Sequence, residues 1–275
     1  MSQIETRLFI NNQYVRSRSG ATLAVCNPTD GSTITTDVQV AGEDEINAAV
    51  SAANIAFQTG PWSSFTGQQR AKCLFRLADL IEGDAASLLQ LEAIAMGAPQ
   101  AGMQFMMPLV SKYLRYYAGY ADKISGESYS ADDGVYKIVN YEPLGVCASL
   151  ASFNATFLYV ALKLGPALAA ANTCIFKASE KAPFGALALG RLVCEAGFPP
   201  GVVNFVSGEV ETGKLLASHM GIAHITFTGS VTAGRRVQEA AAKSNLKRCV
   251  LELGEKSPAI VFNDAHIATA LTWRT

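Results

Sequence analysis

"GVCASLASFNATFLYVALKLGPALAAANTCIFKASEKAP", residues 145–183, reads as a strand, a helix and a second strand. Residues 145–151 and 173–178 are short apolar runs of strand length, and the stretch between them, 157–172, is apolar around most of a helical circumference. Strands buried on both faces lose the usual alternation of polar and apolar side chains. Two such strands joined by a helix are parallel, because only a long crossover returns the chain to the same end of a sheet. The pattern repeats downstream, with helices at 182–197, 212–219 and 230–244 and strands at 201–208, 222–229 and 246–254. Five strands alternating with helices predict an α/β fold: a doubly wound parallel sheet covered on both faces.

Upstream the periods differ. "LFINNQYV" (8–15) pairs two apolar runs across Asn11-Asn12, residues that tolerate the positive φ of a tight hairpin turn. "CNPTDG" (26–31) repeats that turn chemistry. "EDEINAAVSAANIAF" (43–57) sets Ile46, Val50 and Ala53 at helical spacing behind an acidic first turn, and Gly60-Pro61 stops it. Residues 68–97 predict two helices broken near Gly83-Asp84, and 103–124 a third. "ESYSADDGVYKIVNYEP" (127–143) alternates about Asp132-Asp133-Gly134 and predicts a two-stranded hairpin.

Apolar residues make up 49% of the 275, charged ones only 16%, and the net charge is −1. So little charge implies extensive burial, and neither a basic patch for nucleic acid nor an acidic tail is present. No basic segment followed by an apolar one opens the sequence, and no apolar run is long enough to span a bilayer, so a cytoplasmic protein is expected. The six cysteines form no CxxC pair and have no histidine at ligand spacing. Buried thiols in a reducing compartment are expected, without a metal.

In doubly wound sheets ligands bind beyond the carboxyl ends of the strands. Four such ends carry polar residues. Asn154 follows the first strand; its amide can donate to a developing oxyanion or can simply cap the next helix. Lys177, with Glu180 three residues on, ends the second, where the pair can hold ribose hydroxyls or stand as a solvated lysine and its neighbour. Gly229-Ser230 opens a helix after the fourth, as an anion site or a plain helix start. Glu252 ends the fifth, expected to be a buried carboxylate raised toward a general base's range or a paired structural one, with Glu255 just beyond.

The segments "LFINNQYV", "EPLGVCASLASFNATF", "LGPALAAANTCIFKASEKAP", "CEAGFPPGVVNFVSG", "ITFTGSVTAGRRV" and "KSNLKRCVLELGEKSP" together resemble the NAD(P)-dependent aldehyde dehydrogenase superfamily over essentially the whole sequence. The resemblance implies a Rossmann-like NAD(P)-binding domain over 1–124 and 143–254, a protruding hairpin at 125–142 that serves oligomerisation, and a remnant of the catalytic domain at 255–275. It implies Lys177 and Glu180 as adenosine-ribose contacts, Gly229 and Ser230 as the pyrophosphate site, Asn154 as the oxyanion amide and Glu252 as the general base. A glutamate at the Glu180 place goes with NAD rather than NADP.

The resemblance also shows departures. The family's Pro-Trp-Asn-Phe-Pro is Ser152-Phe153-Asn154-Ala155-Thr156 here, and the second glycine of Glu-Leu-Gly-Gly is Glu255. The family's nucleophilic cysteine lies farther past the general base than this sequence runs. Without a thiolate the usual two-step aldehyde oxidation is closed. The expectation is therefore a truncated, repurposed protein doing non-oxidative chemistry (isomerisation, cyclisation, aldol-type addition or elimination) on a small carbonyl compound, with Asn154 steadying an oxyanion and Glu252, aided by Glu255, moving a proton. A catalytically silent NAD-binding or interaction protein, and an NAD-dependent aldehyde oxidoreductase, are the alternatives. A homodimer or larger oligomer is expected, because loss of the partner domain would bare an apolar face.

Overall fold

The structure is a computed structural model that describes residues 4–99, 103–131 and 133–272. Asp132, at the expected hairpin turn, and the ends of the expected outer domains (1–3 and 273–275) lie outside the described residues.

The strands β1 (Leu8–Ile10), β2 (Gln13–Val15), β7 (Val146–Leu150), β8 (Thr173–Lys177), β9 (Val203–Val206), β10 (His224–Gly229) and β11 (Arg248–Leu253) form one sheet, in the order β11-β10-β7-β8-β9-β1-β2. β3 (Thr22–Cys26) pairs with β4 (Thr33–Gln39), and β5 (Glu127–Tyr129) with β6 (Lys137–Val139), as separate two-stranded sheets. The helices are α1 (Glu43–Gln58), α2 (Gly67–Gly83), α3 (Ala85–Met96), α4 (Met106–Ala118), α5 (Thr156–Ala169), α6 (Phe184–Glu195), α7 (Val210–Ser218), α8 (Val231–Lys243) and α9 (Ile267–Thr272).

β7, β8 and β9 are buried at every residue, as their unbroken apolar runs predict. Successive side chains point to opposite faces, so each strand feeds two cores. Cys147, Cys174, Phe176 and Phe205 join the core beneath α2, α4, α5 and α6, whereas Val146, Ala148, Leu150, Ile175 and Val206 join that beneath α1, α7 and α8. The five parallel strands β7 to β11 follow the expected doubly wound pattern.

The sheet is mixed at its other end, which the expected all-parallel sheet omits. Asn11 and Asn12 adopt positive φ in the β1–β2 turn, and β1 then runs antiparallel to β9, Phe9 opposite Phe205. Asn204, fully buried in β9, makes this joint. Its Oδ1 accepts from Asn11 N–H at 2.9 Å, and its amide donates to Gly201 O at 2.8 Å and Cys174 O at 3.3 Å.

Two other expectations are corrected. Cys73, Cys147 and Cys174 are buried, but Cys26 and Cys194 are exposed because each sits on an outward position of a surface element. The cavity side of β10 and β11 is part polar rather than the expected bare apolar face: it carries Thr226, Thr228 and Glu252 together with the exposed Val250, and Leu162 and Leu253 border it. None of the described helices is long and apolar enough to cross a membrane.

Replacing Asn204 by Ala leaves three backbone groups without this partner, the carbonyls of Cys174 and Gly201 buried and the Asn11 N–H part-buried. The expected loss is roughly 2–4 kcal/mol of unfolding free energy, read as a lower urea midpoint with unchanged secondary structure at zero denaturant.

Candidate active site

At the carboxyl ends of β7, β10 and β11 lies a cavity of about 670 Å³ lined by Ser152, Asn154, Tyr159, Lys163, Thr226, Thr228, Gly229 and Glu252, among others. Parallel register builds it: Thr228 stands opposite Glu252 and Thr226 opposite Val250. The structure thus brings Asn154, Gly229 and Glu252 together.

Asn154 does not cap α5. The cap is Ala155, without a side-chain bond, and the first free N–H, that of Thr156, donates instead to Glu92 Oε1 at 2.8 Å. Asn154 Oδ1 accepts from Ser152 Oγ at 2.6 Å and from Tyr159 OH at 3.1 Å. Its oxygen is held from two sides, and its N–H₂ group has no partner among the described residues. An amide so oriented presents donors to a carbonyl oxygen.

Glu252 is exposed, not buried as expected, because β11 is an edge strand whose outer residues meet solvent. Glu255 lies beyond the end of β11, also exposed, and accepts from Ser257 Oγ at 2.6 Å; it does not line the cavity.

Lys177 is buried, which rules out a solvated strand-end lysine. Its Nζ donates to Ala178 O at 3.0 Å and lies 3.8 Å from Glu180 Oε2. Burial holds its ammonium pKa below the ordinary lysine range, opposed by the charges of Glu180 and Glu209. Glu180 borders a second cavity, of about 600 Å³, together with Phe153, Lys181 and Glu209. Ser230 caps α8 by accepting from Ala233 N–H at 3.2 Å, so its side chain does serve as a helix start, with its hydroxyl proton still available to donate.

Lys163 is the residue that sequence reasoning missed. It is the single charge in the apolar stretch 157–172, a signal of a face turned away from the core. Its Nζ donates to Thr226 Oγ1 at 2.8 Å and lies 5.7 Å from the centre of the Tyr159 ring, one helical turn back. Burial pulls its pKa down to about 8, with Glu252 the charge that opposes the shift.

Fold and cavity together define an α/β protein of the doubly wound class whose polar groups gather where such sheets take their ligands. The chain belongs to the aldehyde dehydrogenase family, whose sequence profile matches residues 14–274. It is 45% identical over 269 residues to "Aldehyde dehydrogenase, cytosolic 1" of Elephantulus edwardii, covering 97% of this chain and 54% of that one. To "Retinal dehydrogenase 2" of Mus musculus it is 44% identical over 270 residues, covering 97% and 52%. An aldehyde dehydrogenase from Bacillus cereus, solved as an NAD⁺ complex, superposes with a TM-score of 0.93 at 36% identity, covering 98% of this chain and 55% of that one. The chain spans about half the length of the relatives it matches.

Glu92, on α3 and 1% exposed, links this site to pH. Burial pushes its carboxyl from 4.5 up to about 7, against the Thr156 N–H that favours the charged form. The folded pKa is the higher one, so its contribution is complete below about pH 4.5 and is lost as pH rises to about 7. The loss is roughly 3 kcal/mol. Glu92→Gln keeps an acceptor for Thr156 and is expected to flatten this fall, measured as the difference between urea midpoints at pH 5 and pH 8; equal differences in the two proteins would rule Glu92 out as the source.

Proposed function

We propose that this chain binds a nicotinamide dinucleotide in the manner of its family, and that its cavity acts on a small carbonyl compound by polarisation and proton transfer. The observation that carries the reading is the meeting of Asn154 and Glu252 in one cavity, with the Asn154 oxygen held so that its N–H₂ faces outward.

The residues present suit the dinucleotide. Lys177 keeps donors to spare beyond its bond to Ala178, and Glu180 beside it accepts from hydroxyls, a donor and acceptor set for a ribose. Glu180 repels a 2′-phosphate, which favours NAD over NADP. Gly229 and Ser230, at the start of α8, supply backbone N–H and hydroxyl groups for a pyrophosphate. When bound, NAD supplies a hydride acceptor.

None of the six cysteines lines the cavity. Burial raises the Cys147 thiol to about 12, and Cys174 well above its ordinary value, so neither offers a thiolate near neutral pH. What the cavity offers from this chain is an amide, a carboxylate and an amine. Those groups support isomerisation, cyclisation, aldol-type addition or elimination, in which Asn154 holds an enolate or oxyanion and Glu252 moves the proton. Glu255 joins them only if the segment after β11 folds back over the cavity. A second reading is NAD-dependent aldehyde oxidation with a thiolate supplied from polypeptide beyond these residues, favoured by the chain's spanning about half of its relatives.

We extend the proposal to a cytoplasmic homodimer or larger oligomer. Every residue of β5 and β6 is exposed, and Tyr136, Ile138 and Tyr141 are each more than half exposed. Single exposed apolar residues are ordinary, but a cluster of this kind marks an association surface.

Calorimetry with NAD tests the cofactor reading: binding below millimolar concentration is expected, weakened at least about tenfold by Lys177→Ala, in keeping with loss of a charge-assisted contact. An intact chain that takes up no NAD would remove it. For the chemistry, Glu252→Gln is expected to slow turnover of the carbonyl substrate by about 10²- to 10⁴-fold, and unchanged rates would remove Glu252 from the mechanism. Formation of NADH from a panel of aldehydes when the chain is mixed with a family relative that carries the nucleophilic cysteine, and not with the relative's nucleophile-free variant, would favour the second reading.

A further inference from the structure

Lys163 shares the cavity with Asn154 and Glu252 but has no part in the proton-transfer scheme above. Its hydrogen-bond partner is the neutral hydroxyl of Thr226, and no carboxylate lies within ion-pair distance of it among the described residues. Thr228 Oγ1, in the same cavity, is buried with no hydrogen-bond partner among the described residues. A buried polar atom left unpaired costs stability unless water or a ligand satisfies it. An amine, an oxyanion donor, a proton carrier and an unpaired hydroxyl therefore face one space.

We propose that Lys163 is a covalent amine nucleophile that forms an imine with a small aldehyde or ketone bearing an α-hydrogen. This deepens the proposed carbonyl chemistry and rests on it. Lysines taken out of water are the residues that form imines with carbonyl substrates, because burial disfavours the charged ammonium and leaves a lone pair. With Lys163 near 8, roughly a tenth is unprotonated at pH 7, against about one part in three thousand for an ordinary lysine.

The step balances without an oxidant. The Lys163 ammonium first gives a proton, relayed by water in the cavity, to the Glu252 carboxylate. The Nζ lone pair then forms the C–N bond, and the carbonyl π pair moves to oxygen, where the Asn154 N–H₂ donates to it. A proton passes from nitrogen to that oxygen, giving a neutral carbinolamine. Glu252 returns its proton to the hydroxyl, the C–O bond breaks, water leaves, and an iminium remains on Lys163 with Glu252 again charged. The iminium acidifies the α C–H, which Glu252 can remove to give an enamine, the species that isomerisation or aldol-type addition requires.

The titratable and charged groups around Lys163 are Glu252 on β11, His224 on β10, on which Arg248 of β11 also acts, and Tyr159 on its own helix. Glu252 opposes the loss of the Lys163 proton, and burial outweighs it. Reactivity at Lys163 is thus expected to rise with pH and level off above about 8. At ordinary lysines it keeps rising toward about 10.4.

The experiment incubates the full chain with propanal and sodium cyanoborohydride at pH 7, followed by intact mass and peptide mapping. Expected is a propyl adduct on Lys163 that forms at least about tenfold faster than on any other lysine, and that Asn154→Ala slows by about tenfold, as loss of one oxyanion donor does or exceeds. Labelling spread over the lysines at similar rates overturns the proposal, and this readout on the unaltered chain does not depend on whether a Lys163 variant folds. Lys163→Met, with a near-equal apolar volume, is expected to remove the fast adduct and leave NAD titration unchanged. A chain that binds NAD without a fast Lys163 adduct loses the amine role alone. A chain labelled fast at Lys163 that binds no NAD keeps that role and loses the cofactor reading.

Discussion

The parallel register of β10, held between β7 on one side and β11 on the other, is the constraint on which the rest of the site depends. Thr226 stands opposite Ser149 and Val250, and Thr228 opposite Glu252. Side chains in a strand alternate with a period of two. Thr226, Thr228, Val250 and Glu252 therefore share one face, while Ile225, Phe227, Cys249 and Leu251 turn to the core beneath α1, α7 and α8. A slip of one residue would bury Glu252 in that core and put Leu251 in the cavity. The apolar partners of Ile225 make such a slip costly, and so hydrophobic packing on one face fixes the chemistry on the other.

Helix α5 supplies the rest. Its apolar side lies over β7 and β8, with Phe157, Val160, Ala161 and Leu164 in the core, and its other side carries Tyr159 and Lys163 at the cavity. The start of the helix sets the Asn154 loop, and that start is satisfied by Glu92 rather than by a local cap. A buried carboxylate bonded to Thr156, two residues after Asn154, ties the geometry of the loop to a proton. Burying that group without an ionic partner is unfavourable in its charged form, which accounts for its raised pKa.

What the sequence made legible followed from periods. The buried strands β7, β8 and β9 showed as unbroken apolar runs, and α1 and α2 as helical stripes, so the doubly wound core could be read directly. The joining of β1 to β9 could not, because it depends on Asn204 bonding Asn11, which lies 193 residues away along the chain. The Asn154 ambiguity had the same origin: its competitor for the helix start, Glu92, is 64 residues before Thr156. Glu252 was misread for a different reason. "RCVLEL" alternates, with every second side chain turned outward, which is the signature of a half-buried edge strand, and its apolar content hid that alternation. Lys163 was visible as a lone charge among apolar residues, but only packing shows that its face meets Thr226 and the cavity.

Two lysines near the carboxyl ends of the same sheet show how burial alone does not assign a role. Both lose water, and burial lowers both of their pKa values. Lys177 is compensated by two carboxylates, Glu180 and Glu209, and by the carbonyl of Ala178, all of which favour the ammonium. Such an arrangement favours the ammonium and fixes its place. Lys163 meets a hydroxyl, an aromatic ring and the field of one exposed carboxylate, where solvent screens much of the attraction. Its ammonium is left closer to losing a proton near neutrality. One side-chain type thus meets two settings at one end of the sheet: Lys177 has Glu180 at 3.8 Å and the charge of Glu209 beside it, whereas Lys163 has no carboxylate within ion-pair distance among the described residues.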